Sequence, residues 1–221
     1  MHFRLPKPLH GWREFAGEVG IIVFGVLIAL GAEQLVEAWS WHNKVGIVRA
    51  SIMSELGNDR ARWEANIRGI PCALGVIDRL NRWAEAGAPV TTRPDSLDLR
   101  DQLSMFGMHS ANWNLAAGSQ ALDHFPVREQ IALAALYDSI VARNVDVERQ
   151  VDLTIQAQTL VPLASDPAQR RDLLVTLGKL RSNIGVEMDE DAYMKKHFDA
   201  VGVKADRSDF ESDFAQSSCA K

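Results

Sequence analysis

The apolar residues of this chain follow two patterns. Val19 to Ala32, VGIIVFGVLIALGA, is fourteen residues without a charge, closed by Glu18 and Glu33. From Val45 onward the apolar positions come three or four residues apart for most of the way: Val48, Ile52, Leu56, Trp63, Ile67, Ile70, Leu74, Ile77, Leu80 and Trp83. The second pattern predicts helices with one wet side. The first has no wet side at all.

A hydrocarbon core of about 30 Å takes about 20 apolar residues at a rise of about 1.5 Å each, so fourteen fall short of a crossing. The flanks supply the rest, with Phe15, Ala16 and Gly17 before Glu18, and Leu35, Val36, Ala38 and Trp39 after Glu33 and Gln34. Trp12 at one end and Trp39 and Trp41 at the other are expected to be interface anchors, because an indole ring pairs an apolar body with one N–H that seeks water. The expected organisation is a short tail over 1–14, a transmembrane anchor helix over 15–41, an α-helical ectodomain over 42–205 and a flexible, acidic, Ser-rich tail over 206–221. Two other readings of the stretch stay open. One is the buried helix of a soluble protein, since runs this short are often core helices. The other is a cleaved secretory signal with Ala29 and Gly31 at the peptidase positions. Against the signal, Glu14 and Glu18 are unusual in its basic region, and the periodicity runs on through Leu35, Val36 and Trp39.

Orientation follows positive charge. Arg4, Lys7 and Arg13 precede the span, while Lys44 and Arg49 follow it, which predicts a single-pass protein with its N-terminus cytoplasmic and its C-terminal domain outside; in a bacterium that means the inner membrane and the periplasm. Gly25, Ala29 and Ala32 recur at i, i+4 and i+7. That spacing offers a helix-packing face within the bilayer, to a second copy or to another membrane protein. The plainer reading is that small residues are common in membrane helices.

The anchor also carries a resemblance. Gly17-Glu18-Val19, Val23 and Gly25-Val26-Leu27-Ile28-Ala29-Leu30 resemble the opening of a widespread uncharacterised bacterial family that begins with a G-E-[IV]-x3-V-x-G-[IV]-L-I-A-L anchor. The likeness continues more weakly through Glu55-Leu56-x-x-Asp59, through Trp113 to Gly118, and through Leu136-Tyr137. Where those relatives carry Ser-Gly, this chain has Gly118-Ser119. The resemblance implies a single-pass anchor with a helical ectodomain, and implies no activity.

Past the first long helix, Gly69 and Pro71 predict a kink or short break, and Gly87 with Pro89 predicts a stop. Asp95 or Ser96 is expected to cap a short helix through Leu97, Leu99, Leu103, Met105 and Phe106, followed by another over Trp113 to Leu122. Pro126 opens a helix whose apolar face is read as Val127, Ile131, Ala134, Tyr137, Val141, Val145, Val151 and Ile155, with Arg128, Glu129, Arg143, Glu148 and Arg149 solvated. After a loop over Val161 to Pro167, Asp166-Pro167-x-Gln169 predicts a capped start to a helix through Leu173, Leu174, Leu177, Leu180 and Ile184. A softer helix is expected over Ala192 to Val201. No period-two stretch of any length appears. The fold class is all-α: a transmembrane helix, then an antiparallel bundle of long helices, antiparallel because short loops join them.

Composition changes this picture little. Of 221 residues, 47% are apolar and 24% charged, as in ordinary globular chains. Net charge is −5, with twenty-one basic and twenty-five acidic side chains beyond residue 41, so nothing courts nucleic acid. Cys72 and Cys219 permit one bridge in an oxidising compartment, or else a buried Cys72 beside Ile70 and Leu74 and a loose Cys219.

Candidate chemistry is sparse. His109, Trp113, Asp123 and His124 share a region, but no H-E-x-x-H, C-x-x-C, G-x-S-x-G or phosphate loop is present. Ser119 shows no base. Glu187, Asp189, Glu190, Asp191 and His197 lack the ligand alternation of a calcium loop and read as a solvated run. No catalytic, cofactor or metal residue is therefore assigned. Two function classes remain: a membrane-tethered interaction, accessory or scaffold module, and a periplasmic ligand-binding or catalytic helical domain with its site near His109, Trp113 and His124. The expected partners are the lipid bilayer and a second copy or another membrane protein.

Overall fold

The computed structural model of the protein describes residues 11–92 and 106–208, apart from the side chains of 12–14. The expected cap at Asp95 or Ser96, the short helix that follows it, the side chain of Trp12 and the tail from residue 209 lie outside these residues. The described residues form four α-helices and three short 3-10 turns, and no strand occurs among them. The chain separates into two compact units, Met1–Ile47 and Val48–Lys221. Helix α1, Gly11–Glu85, runs through both.

In the first unit most of the described apolar side chains are exposed. Ile21, Ile22, Phe24, Leu27, Ile28, Leu35 and Val36 are all exposed, at 57% or more of their surface. This is one helix long and apolar enough, by length and composition, to cross a membrane. A side chain added at Gly25 would meet open space, and Ala29 and Ala32 are exposed as well. Trp39 is exposed, while the Trp41 ring lies beneath the Lys44 ammonium at 4.6 Å.

In the second unit the expected stripe of α1 is the buried one: Ile52, Leu56, Trp63, Ile70, Ile77, Leu80 and Trp83. The helix passes Pro71 without the predicted break. Pro71 sits on the exposed side, where water can take up the carbonyl that the missing N–H leaves unbonded. The stop falls where expected. Gly87, at φ +94°, lets its own N–H reach the Ala84 carbonyl and that of Ala88 reach Trp83, a double closure of the last turn.

Helix α2, Ala111–Gly118, and the 3-10 turn Ala121–His124 replace the single helix expected over 113–122. The break comes at Ser119, whose hydroxyl donates to the Ala116 carbonyl, and at Gln120, at φ +58°. Helix α3, Val127–Leu160, starts after Pro126 as predicted. The turn Val161–Leu163 then leads to Asp166, which accepts the N–H groups of Ala168 and Gln169 and caps helix α4, Pro167–Val201. The two helices expected over 167–201 are thus one, ended by Gly202 at φ +77°. Beyond it the chain turns back on α1, and the Asp206 N–H donates to the Gly57 carbonyl at 2.9 Å. A Cβ at Gly57 would stand 3.2 Å from both Asp206 Cβ and the Lys204 carbonyl, so this approach needs glycine.

Contacts between helices give their directions. Arg49 pairs with Glu129, Glu55 with Tyr137, and Trp63 with Arg143, so α1 and α3 ascend together. Arg60 pairs with Asp199, Trp63 with Asp191, and Asp78 with Arg181, so α4 descends along α1. Gln150 to Glu187 makes α4 descend along α3 too. This corrects the expectation that all the long helices alternate in direction. Residues 86–126 form no short loop: by Phe106 to Asn112 they have come back beside residues 51–66 of α1.

One apolar cluster joins the three helices: Ile70, Ile77, Leu80 and Trp83 from α1, Leu153 and Ala157 from α3, and Leu173, Leu177, Leu180 and Ile184 from α4. Removing a Leu or Ile side chain from water is worth about 1.5–3 kcal/mol. The face of α3 is the expected one at Tyr137, which is buried, and differs at five other positions. Val127, Ile131, Val141, Val145 and Ile155 are exposed, whereas Leu133, Leu136, Tyr137, Ile140, Val147 and Leu153 are buried, together with Arg143, Gln150 and Thr154. Polar residues sit within this core because α4 supplies their partners.

Candidate functional site

Glu55 and Asp59 stand one turn apart on α1, which puts both carboxyl groups on one side of the helix. Both are buried. The Tyr137 hydroxyl on α3 donates to Glu55 Oε1 at 2.8 Å, and the Trp113 ring of α2 stacks on the Tyr137 ring, 4.9 Å between centroids and 14° from parallel. Glu55, Asp59, Trp113 and Tyr137 therefore meet in space.

Between α1 and α3 runs Phe106 to Ser110, a segment with no helix or strand of its own, so buried side chains must satisfy its backbone. Asn66 donates to the Phe106 carbonyl at 2.9 Å and accepts the Phe106 N–H at 3.0 Å. Asn144 does the same at Met108, at 2.8 and 2.9 Å. The His109 N–H donates to Asp59 Oδ1 and the Asn112 N–H to Glu55 Oε2, each at 2.9 Å. The amide of Asn112 donates to the Ser51 carbonyl at 3.2 Å. Four side chains thus hold the segment as strand partners would.

Asp59 is completely buried, and its Oδ1 also lies 3.2 Å from Nδ1 of the half-exposed His109 ring. No donor meets Oδ2. Burial pushes the Asp59 carboxyl up to about 6; the N–H and the ring of His109 oppose this, and the charge of Glu55 adds to it. Burial, followed by the bond to Glu55, raises Tyr137 well above an ordinary phenol.

His109 and Trp113 therefore belong to this centre. His124 lies in the exposed turn Ala121–His124, and the contacts at the centre come from Asp59 and Tyr137 instead. Among the described residues no group of three or more His, Cys, Asp or Glu side chains is placed to hold a metal ion.

A second polar centre lies between α3 and α4. Arg143, expected on the solvated side, has a side chain only 1% exposed. Its Nη1 reaches Asp146 at 3.3 Å and Glu190 at 3.5 Å, its Nη2 lies 3.3 Å from Glu187, and its guanidinium stands 5.8 Å from the centre of the Trp63 ring. Glu187, expected in a solvated run, is buried and accepts from Gln150 at 3.0 Å. Its carboxyl is raised, by burial first, with Arg143 and Gln150 working the other way. Asp191, from the same run, accepts the Trp63 indole N–H at 3.0 Å. Beside Arg143 an open cleft of about 400 Å³ is lined by Asp138, Asp146, Glu190, Tyr193 and Met194. Sequence periodicity carried no signal for this centre, because a buried arginine on a helix reads as a wet position.

Cys72 is half-buried and disulfide-bonded. The other cysteine of the sequence, Cys219, lies outside the described residues.

Comparison of the chain with protein-family models, curated proteins and solved structures finds no match.

Proposed function

We propose that the protein is a membrane-tethered helical interaction module: α1 crosses a bacterial inner membrane once over 15–41, and the unit from Val48 onward stands in the periplasm as a three-helix bundle that meets a partner protein. The observation that carries this reading is the apolar helix of the first unit, whose most apolar stretch has no buried side chain. Such a surface in water costs roughly 25 cal/mol per Å², a cost that lipid removes. The bonded state of Cys72 supports an oxidising compartment, and the resemblance of the anchor motif supports a bacterial single-pass protein. An interaction role is supported by the row Val127, Ile131, Val141, Val145 and Ile155 left exposed along α3.

The rival reading, a ligand or catalytic site at His109, Trp113 and His124, has less support. Three of the four carboxylate oxygens of Glu55 and Asp59 are occupied by backbone N–H groups and a tyrosine, and an open cleft lies at Arg143 instead.

Alkaline carbonate extraction of membranes from cells making the full chain tests the tether. The protein is expected to stay in the pellet, and release into the supernatant would sink the reading. An alkaline phosphatase fusion after Lys221 is expected to be active, and an inactive fusion at equal expression would reverse the orientation. For self-association through the anchor, Gly25→Leu with Ala29→Leu is expected to lower the signal of a membrane dimerisation reporter, and an unchanged signal would remove that face as a dimer contact.

A further inference from the structure

We propose that the outer face of α3 docks a helix of a partner protein whose apolar stripe is interrupted by lysine or arginine. It rests on the interaction role proposed above and not on the tether.

Val127, Ile131, Val141, Val145 and Ile155 each keep 46% or more of their surface exposed. Ala134 and the exposed acids Asp138, Glu148 and Asp152 fill the places between them. From 127 to 155 the steps then alternate four and three, the repeat by which one helix seats against another. The seam is about 42 Å long, at a rise of about 1.5 Å per residue, and the described residues leave it open.

Charge selects the occupant. The seam holds acids and no base, and Asp138, Glu148 and Asp152 make no ion pair among the described residues. A second copy laid parallel would set each acid against itself. Laid antiparallel, each acid meets another acid or an apolar residue. Either way carboxylates leave water with no cation, which is costly. A basic stripe on the partner removes that cost and adds attraction.

The cleft of about 400 Å³ receives one long basic side chain. Asp138, Asp146 and Glu190 line it, and Ala135, Ala142 and Met194 offer apolar surface for the aliphatic stem. Arg143 already lies against Asp146, Glu187 and Glu190, and Arg149 is 3.9 Å from Asp146. With Asp138, four acids face two bases there, so the cleft stays negative.

Fluorescence anisotropy on the full chain in dodecyl maltoside micelles tests this, after subtraction of binding to empty micelles. The probes are a labelled synthetic helix of four heptads with a leucine seam interrupted by lysine, and its twin with glutamate in place of lysine. The lysine helix is expected to bind about tenfold more tightly or better. Val141→Lys with Val145→Lys is expected to abolish its binding, and Asp138→Asn with Glu148→Gln to weaken it about tenfold. All four side chains are exposed, so both variants should keep the parent helicity by circular dichroism. Asp78→Asn removes a charge at the α1–α4 contact and should leave binding unchanged. Equal binding of the two helices, binding untouched by the changes at Asp138 and Glu148, or a fall as large in Asp78→Asn would each overturn the proposal. So would a full-chain dimer in sedimentation that Val141→Lys with Val145→Lys dissociates, which gives the face to a second copy and leaves the interaction role standing. None of these outcomes bears on the tether, which carbonate extraction decides.

Discussion

Tyr137 and Glu55 are 82 residues apart in sequence, yet the hydroxyl of one donates to Oε1 of the other at 2.8 Å with both out of water. This bond ties α3 to α1 beside the segment Phe106 to Asn112. Tyr137→Phe keeps the ring under Trp113 and removes only the donor, which leaves a buried carboxylate oxygen short of a partner. The expected loss is about 1.5–3 kcal/mol in equilibrium urea unfolding, and a change below about 0.5 kcal/mol would show that the bond contributes little.

Asn144 holds both backbone groups of Met108. With Asn144→Ala that N–H and carbonyl lose their partners in a buried place, at a cost of roughly 2 kcal/mol. The damage should be local. Limited proteolysis is expected to nick the variant within 106–112 well before α4 is cut, and a cleavage pattern like that of the parent chain would refute the assignment.

Arg143→Met leaves Glu187 buried without its cation, so a loss of about 3–5 kcal/mol is expected at pH 7. The Glu187 carboxyl is already raised. For an acid raised in the folded state, the stabilising contribution is complete below its unfolded value and is lost as pH rises through its folded value. The cost of Arg143→Met should therefore be smaller at pH 5 than at pH 7 in chemical denaturation, and adding Glu187→Gln should recover part of it. A penalty that grew on acidification would contradict this account.

Within the anchor, Leu27→Arg with Ile28→Arg places two charges in the apolar run, each costing about 2.5–3.5 kcal/mol on insertion scales. Carbonate treatment is expected to release much of this variant while the parent chain stays in the pellet.

The face of α1 from Ile52 to Trp83 was legible because its large apolar residues all turn inward, although Glu55, Asp59 and Asn66 are buried among them. On α3 the same method found Tyr137 but otherwise picked mostly positions that the structure exposes. Arg143, Gln150 and Thr154 point inward and Val127, Ile131, Val141, Val145 and Ile155 point outward, so hydrophobicity and burial disagree. What reverses them is pairing with Glu187 and Glu190, residues about forty positions away that no local window contains. The parallel course of α1 and α3 was hidden for a related reason: loop length suggests direction only when the loop is short. His109 and Trp113 were singled out by type and proximity. Their meeting with Asp59 and Tyr137 depends on the return of residues 86–126, which the chain order does not reveal.

That return path has a consequence for the order of assembly. Helices α3 and α4 are neighbours joined by a tight turn and can close on each other early, whereas α1 must wait for partners whose contacts with it lie 80 to 143 residues further along. Closing loops of that length is slow compared with zipping a hairpin. Of these helices α1 is made before the partners that cover it, so its apolar stripe from Ile52 to Trp83 stays open until α3 and α4 have been added.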